Sequence, residues 1–284
     1  MLPENIFENQ FPSINNAYMS TILERNKELS KCCTFQNKMT YPIYTVGKKQ
    51  TDGDTDEPPI TLEEKYCSCE TPLYSGTVSG GLTWKICENT KTLCISGNGT
   101  MPNNISGAWK DYYDEFDKII ISNGITLIGS YSFLACTSLV DITIPDSVIT
   151  IKNNAFSGCS SLVEITIPDS VTTIESAVFV NCIGLVEIVI PNSVTTMGSD
   201  ILNACRNLIS VTIGNSVTTI GTQAFRYCYK LQKITNQSLT PQTINPNVFS
   251  DINKTTCVLE VPTESLSLYQ SIDVWKDFTN IIGI

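Results

Sequence analysis

One interval governs this chain: from residue 121 to 236 an apolar pattern returns every 23 residues. Ile121, Ile144, Ile167, Ile190 and Ile213 mark it once per copy. Val148, Val171, Val194 and Val217 keep the same register, with Ile125 ahead of them, as do Ile128, Ile151, Ile174, Met197 and Ile220. Phe133, Phe156, Phe179, Leu202 and Phe225 form another column, and so do Leu139, Leu162, Leu185, Leu208 and Leu231. A copy this short cannot bury its own apolar face. Copies in register therefore predict a solenoid, in which each coil covers the next.

Within a copy, "L-V-x-I-x-I" predicts a short strand whose alternate Ile residues point inward. Pro-Asp or Pro-Asn then ends it, because proline has no N–H to give a ladder and Asp or Asn closes a turn. A second apolar segment, "V-x-x-I-x-x-x-A-F", returns along another side. Stacked strands at about 4.8 Å predict a parallel sheet along one face, in a mainly β molecule.

Cys136, Cys159, Cys182, Cys205 and Cys228 share one column. A metal would receive one ligand per coil, in a chain with no histidine. Disulfides within the column are disfavoured, since stacked Cβ vectors run parallel instead of converging to about 3.8 Å. The expected role is packing: a small, weakly polar side chain at a tight corner.

The repeats, as in "SLVDITIPDSVITIKNNAFSGC" (138–159), resemble the BspA-like leucine-rich repeat family. "LTWKICENTKTLCISGNGTMPN" with "AWKDYYDEFDKIIISNGITLIG" resembles the β-rich cap that precedes such repeats in that family. The downstream "NPNVFSDINKTTCVLEVPTESLSLYQSIDVWKDFTNIIGI" resembles its degenerate last repeat. The resemblance implies a leucine-rich-repeat solenoid with non-enzymatic binding or adhesion, commonly at bacterial or protist surfaces; fold alone names no ligand. The expected organisation is an N-terminal attachment segment (1–78), a β-hairpin cap (79–120), five repeats (121–236), and a degenerate repeat with the C-terminal cap (237–284). Trp84, Ile86, Leu93 and Ile95 are expected to close one end of the solenoid, and Val274, Trp275, Phe278, Ile281 and Ile282 the other.

The first segment lacks the repeat. Tyr18, Met19, Ile22, Leu23 and Leu29 stand at helical spacing, so an amphipathic attachment helix is expected over 15–31. Residues 47–65 read as an acidic linker. Asp52, Asp54, Asp56 and Glu63 imitate calcium-loop spacing, but Glu57 occupies the position that needs glycine and prolines follow, so no metal is assigned. Cys32, Cys33, Cys67 and Cys69 lack zinc-knuckle spacing. Cys87 and Cys94 can pair across the cap hairpin if the chain reaches an oxidising space; free thiols are otherwise expected.

The net charge of −10 argues against a nucleic-acid partner. No run approaches the roughly 20 apolar residues of a membrane span. The first residues show neither the basic nor the apolar region of a secretory leader. Without histidine, Ser-His and Cys-His catalysis is excluded. No cofactor is expected.

Binding is the better expectation. Outward positions stack as Asp141, Glu164, Glu187, Ser210 and Lys233 beside Thr143, Thr166, Val189, Thr212 and Thr235, a candidate face for a basic or cation-bridged partner. Arg226, Tyr227, Tyr229 and Lys230 form a second candidate patch. The expected role is recognition of a protein or cell-surface ligand, with attachment to a larger assembly through residues 1–78. The setting is open between a cell-surface adhesin, as the resemblance implies, and a virion head or tail appendage, as the lack of a leader favours, with an intracellular scaffold as a third option. An enzyme would need a cleft between the first segment and the solenoid.

Overall fold

A computed structural model describes Cys69 and residues 71–284. The attachment helix with Tyr18, Met19, Ile22, Leu23 and Leu29, the acidic linker, and Cys32, Cys33 and Cys67 lie outside the described residues.

From the upstream end, β1 (Tyr74–Val78) and β2 (Leu82–Cys87) pair antiparallel, and β2 pairs antiparallel with β3 (Thr92–Ser96). A short β4 (Gly99–Thr100) follows. Coils then carry two strands each: β5 (Lys118–Ile121) with β6 (Ile125–Ile128), and β7 (Asp141–Thr143) with β8 (Thr150–Ile151). The next coil keeps only β9 (Thr173–Ile174). Pairs resume with β10 (Glu187–Ile190) and β11 (Thr196–Met197), then β12 (Ser210–Ile213) and β13 (Thr219–Ile220). Single strands β14 (Lys233–Asn236), β15 (Val258–Val261) and β16 (Asn280–Gly283) end the series.

These strands make two parallel ladders where the repeat pattern predicts one. The first runs β3-β5-β7, stops, and resumes as β10-β12-β14-β15-β16; the second, β4-β6-β8-β9-β11-β13, is unbroken. Within the repeats, from β5 to β14, in-register partners are 23 residues apart, as in Glu187 with Ser210 and Thr173 with Thr196. Periodicity of the "V-x-x-I" segment predicts its return but not its pairing.

A third set of intercoil bonds runs through the "NAFSGC" corner. The N–H groups of Asn154, Phe156 and Gly158 donate to Ser176, Val178 and Val180 of the next coil at 3.1, 3.0 and 2.7 Å. Alternate N–H groups point the same way because each coil holds two left-handed residues. Tyr131, Asn154, Ala177, Asp200 and Gln223 have φ of 57–60°, and Ala135, Gly158, Asn181, Ala204 and Tyr227 have φ of 57–77°. A non-glycine residue there costs about 1 kcal/mol, offset here by the intercoil bonds that its geometry permits.

Between the ladders lies one continuous core containing every apolar column. Aromatic rings stack along it, Trp109 on Phe133 at 5.6 Å, Phe133 on Phe156 at 5.3 Å and Phe156 on Phe179 at 5.8 Å. Leu202 interrupts the stack, and Phe225 on Phe249 resumes it at 5.4 Å.

Both ends are closed by aromatic residues that also donate hydrogen bonds. Upstream, the carbonyls of Ser130, Ser132 and Leu134 have no preceding coil of their own kind. They accept instead from Asn104 N–H (2.7 Å), Trp109 Nε1 (3.2 Å) and Tyr113 Oη (2.9 Å). Trp84, Ile86, Leu93 and Ile95 are buried beneath. Downstream, Trp275 Nε1 donates to Gln242 O and Tyr269 Oη to Ser238 O, both at 2.9 Å. Val274, Trp275 and Phe278 are buried. Ile281 is half-buried, but Ile282 does not join this lid: strand alternation turns it outward opposite Glu260.

The cap also corrects the thiol expectation. Cys69 and Cys87 form a disulfide, and Cys94 belongs to a different one. Cys87 and Cys94 do not pair, because the β2–β3 register sets Cys94 opposite Lys85 and Cys87 opposite Thr92. Diagonal Cβ atoms in such a pair stand about 7 Å apart, too far for a bridge.

Candidate functional site

In the first ladder, alternation sends Ile142, Ile165 and Ile188 inward, leaving the residues on either side of each to face out. One outward column is Lys118, Asp141, Glu164, Glu187, Ser210 and Lys233, with Lys118 in register with Asp141 and Ser210 with both Glu187 and Lys233. Glu164 and Glu187 are exposed, Asp141 and Ser210 half-buried. In the parallel column, Thr143, Thr166 and Val189 are exposed and Thr212 half-buried.

The downstream end of this face is occupied by its own partners. Thr235 is buried, not presented: its hydroxyl donates to Glu260 Oε2 at 2.6 Å. Lys233 Nζ stands 3.9 Å from the same carboxylate oxygen. Glu260 escapes repeat reasoning because the interval to its coil lengthens to 25 residues, as the Lys233–Val258 register shows.

Two further residues flank the face: Val186 and Ile209 are exposed, beside Val189 at 47%. Val186 and Ile209 stand just before β10 and β12, where the chain is not yet a strand, and both are exposed while Leu185 and Leu208 are buried. Alternation read from the strand alone does not find them. The centre of the face is therefore an apolar strip flanked by carboxylates.

The second patch divides. Arg226 is held among its neighbours: its guanidinium lies 4.3 Å over the Tyr227 ring, and Nε lies 3.5 Å from Asp251 Oδ2, too poorly directed for a hydrogen bond. With the Gln223 amide turned to satisfy both sides, its nitrogen donates to Asp200 Oδ1 at 3.0 Å and its oxygen accepts from Arg226 Nη1 at 3.1 Å. Tyr227 is half-buried at a left-handed corner. Tyr229 and Lys230 remain exposed.

The column thiols are buried on the other side of the coil. Cys159, Cys182, Cys205 and Cys228 each donate to the carbonyl of the aromatic-column residue one coil back, at 3.0–3.2 Å. Burial pushes Cys182 and Cys228 up to about 12 from the ordinary 9.0, and Cys159 and Cys205 well above it. Thiols held neutral in this way are neither nucleophiles nor metal ligands. Among the described residues no group of three or more His, Cys, Asp or Glu could hold a metal ion. Among them, too, no helix is long and apolar enough to cross a membrane.

The model of the BspA type leucine rich repeat region matches in six copies, over residues 108–232 and 152–270. No curated protein matches the chain. Among solved structures, a leucine-rich repeat protein from Eubacterium ventriosum is similar in fold, with a TM-score of 0.52 at 20% identity over 67% of this chain and 66% of that one. A Treponema pallidum leucine-rich repeat protein gives 0.44 at 26% identity, over 56% and 70%. The pneumococcal vaccine antigen PcpA gives 0.49 at 24% identity, over 59% of this chain and 41% of that one.

Proposed function

The chain belongs to the BspA-type leucine-rich repeat family, and from that premise we propose that it is a non-enzymatic recognition protein. Its binding surface is the outward face of the first ladder, centred on Glu164, Glu187, Val186, Val189 and Ile209. The carrying observation is that exposed apolar strip beside unneutralised carboxylates, in the middle of an elongated repeat surface. A partner of matching chemistry is a protein surface that interleaves Lys or Arg with aliphatic side chains. Apolar area supplies affinity, and opposite charge supplies steering and register. The downstream third, where Lys233, Thr235 and Glu260 engage one another, contributes less.

The Cys69–Cys87 disulfide favours an adhesive role at a cell surface over assembly in reducing cytoplasm, since disulfides persist in oxidising compartments. Attachment through residues 1–78 is part of the same proposal.

The test is an array of synthetic peptides alternating Lys with Leu or Val, against Glu-containing counterparts. Wild type is expected to retain the basic series. The double variant Glu164→Lys/Glu187→Lys should lose at least about ten-fold in affinity for it, and Val189→Asp a similar amount. Binding that is indifferent to both variants would place recognition elsewhere on the molecule.

A further inference from the structure

We propose that the segment from Glu164 to Pro168 is a hinge in the solenoid, held open on the first-ladder side by charge. It begins just past the last intercoil bond on that side, which Val163 O accepts from Val186 N–H at 3.1 Å. Among the described residues, no intercoil backbone hydrogen bond involves Glu164, Ile165, Thr166 or Ile167 on either side. The same coil is fully tied elsewhere. Thr173 and Ile174 pair with strands before and after, and Asn154, Phe156 and Gly158 donate into it. The looseness is thus confined to one side, which is the geometry of a hinge. Core burial follows the same line. Ile142, Ile144, Ile165 and Ile167 keep 6–8% exposure, whereas Ile188, Ile190, Val211 and Ile213 keep 0–1%.

Two causes coincide only there. The strand-ending rung is made by Ser122, Gly214 and Gln237, whose N–H groups donate one coil back at 2.9–3.0 Å. Pro145, Pro168 and Pro191 occupy the equivalent places and have no N–H to give. Proline alone does not open the ladder, because β5 and β7 stay paired despite Pro145. There the outward pair is Lys118 with Asp141, of opposite charge. At the next two interfaces proline is joined by like charges, Asp141 above Glu164 and Glu164 above Glu187. Beyond them Glu187 meets neutral Ser210, Gly214 restores the rung, and the ladder resumes. Like charges opposite one another on a sheet destabilise by amounts comparable to a single net hydrogen bond. An interface that has already lost a rung is the one such a penalty can open.

The hinge lies beneath the proposed recognition surface but needs no ligand, so a failed binding experiment leaves it standing. Amide hydrogen exchange on the full chain tests it directly. The N–H groups of Ile165 and Ile167 should exchange about ten-fold faster than those of Ile188 and Ile190, which face β12. Glu164→Lys, which meets a carboxylate on each side, should bring the two segments together, and isosteric Glu164→Gln should do so in part. Conversely, Lys118→Glu should open the β5–β7 pair and speed exchange at Thr143, whose N–H faces β5. Equal protection of the two segments in wild type, or a Glu164→Lys variant that exchanges like wild type, would overturn the proposal.

Discussion

At Cys182 one sulfur atom fills the corner of the coil and satisfies a buried carbonyl, donating 3.1 Å to Phe156. That explains the thiol at Cys159, Cys182, Cys205 and Cys228, where alanine would fit but leave the carbonyl's second acceptor site empty. It also gives the column a pH signature. A thiol pushed up to about 12 in the fold keeps its proton while its unfolded counterpart, near 9.0, loses it. The unfolded state then binds fewer protons, so stability is flat below pH 9.0 and falls between 9.0 and about 12. Urea midpoints should accordingly be lower at pH 10.5 than at pH 8. Native protein at pH 8 should also spare the column from iodoacetamide until denatured. Stoichiometric alkylation of Cys159 to Cys228 in the native state would contradict this account. The column itself was legible from its period. Its hydrogen bond was not, because the acceptor lies 26 residues away, on the coil behind.

Among the elements, the upstream cap resolves what a solenoid end must resolve, both apolar surface and carbonyls left without a coil to meet. Trp109 serves both needs, stacking on Phe133 and donating to Ser132. Trp109→Phe keeps a ring in place and removes the donor, and should cost about 1–3 kcal/mol, read as a lower thermal midpoint. Tyr113→Phe, at the more exposed edge, should cost less. A Trp109→Phe melt matching wild type would mean that stacking alone closes this end. The aromatic content of both caps is legible in the sequence. The outward turn of Ile282 is not, because strand alternation decides it, and neither is the exclusion of a Cys87–Cys94 pair, because strand register decides that.

For the whole molecule, stability passes between nearest neighbours along one stack, so damage in the middle should spread both ways. Phe156→Ala removes a ring that touches both Phe133 and Phe179. It should cost about 3–5 kcal/mol and raise hydrogen exchange in the coils on either side. Confinement of the effect to its own coil would argue against a continuous stack. The position is demanding because it lies next to the coil whose first ladder is already open.

What the amino-acid sequence determined by itself is whatever repeats. The 23-residue interval sets which side chains share a column, and columns of Ile, Leu, Phe and Cys leave a stacked solenoid as the arrangement that buries them all. What only the tertiary structure decided is how neighbouring coils treat each other's backbone. That includes the third set of bonds through left-handed corners, the donors closing each end, Thr235 drawn under Glu260, and the interrupted first ladder. These depend on whether an N–H meets a carbonyl and which charge lies above which, and both are properties of two coils together.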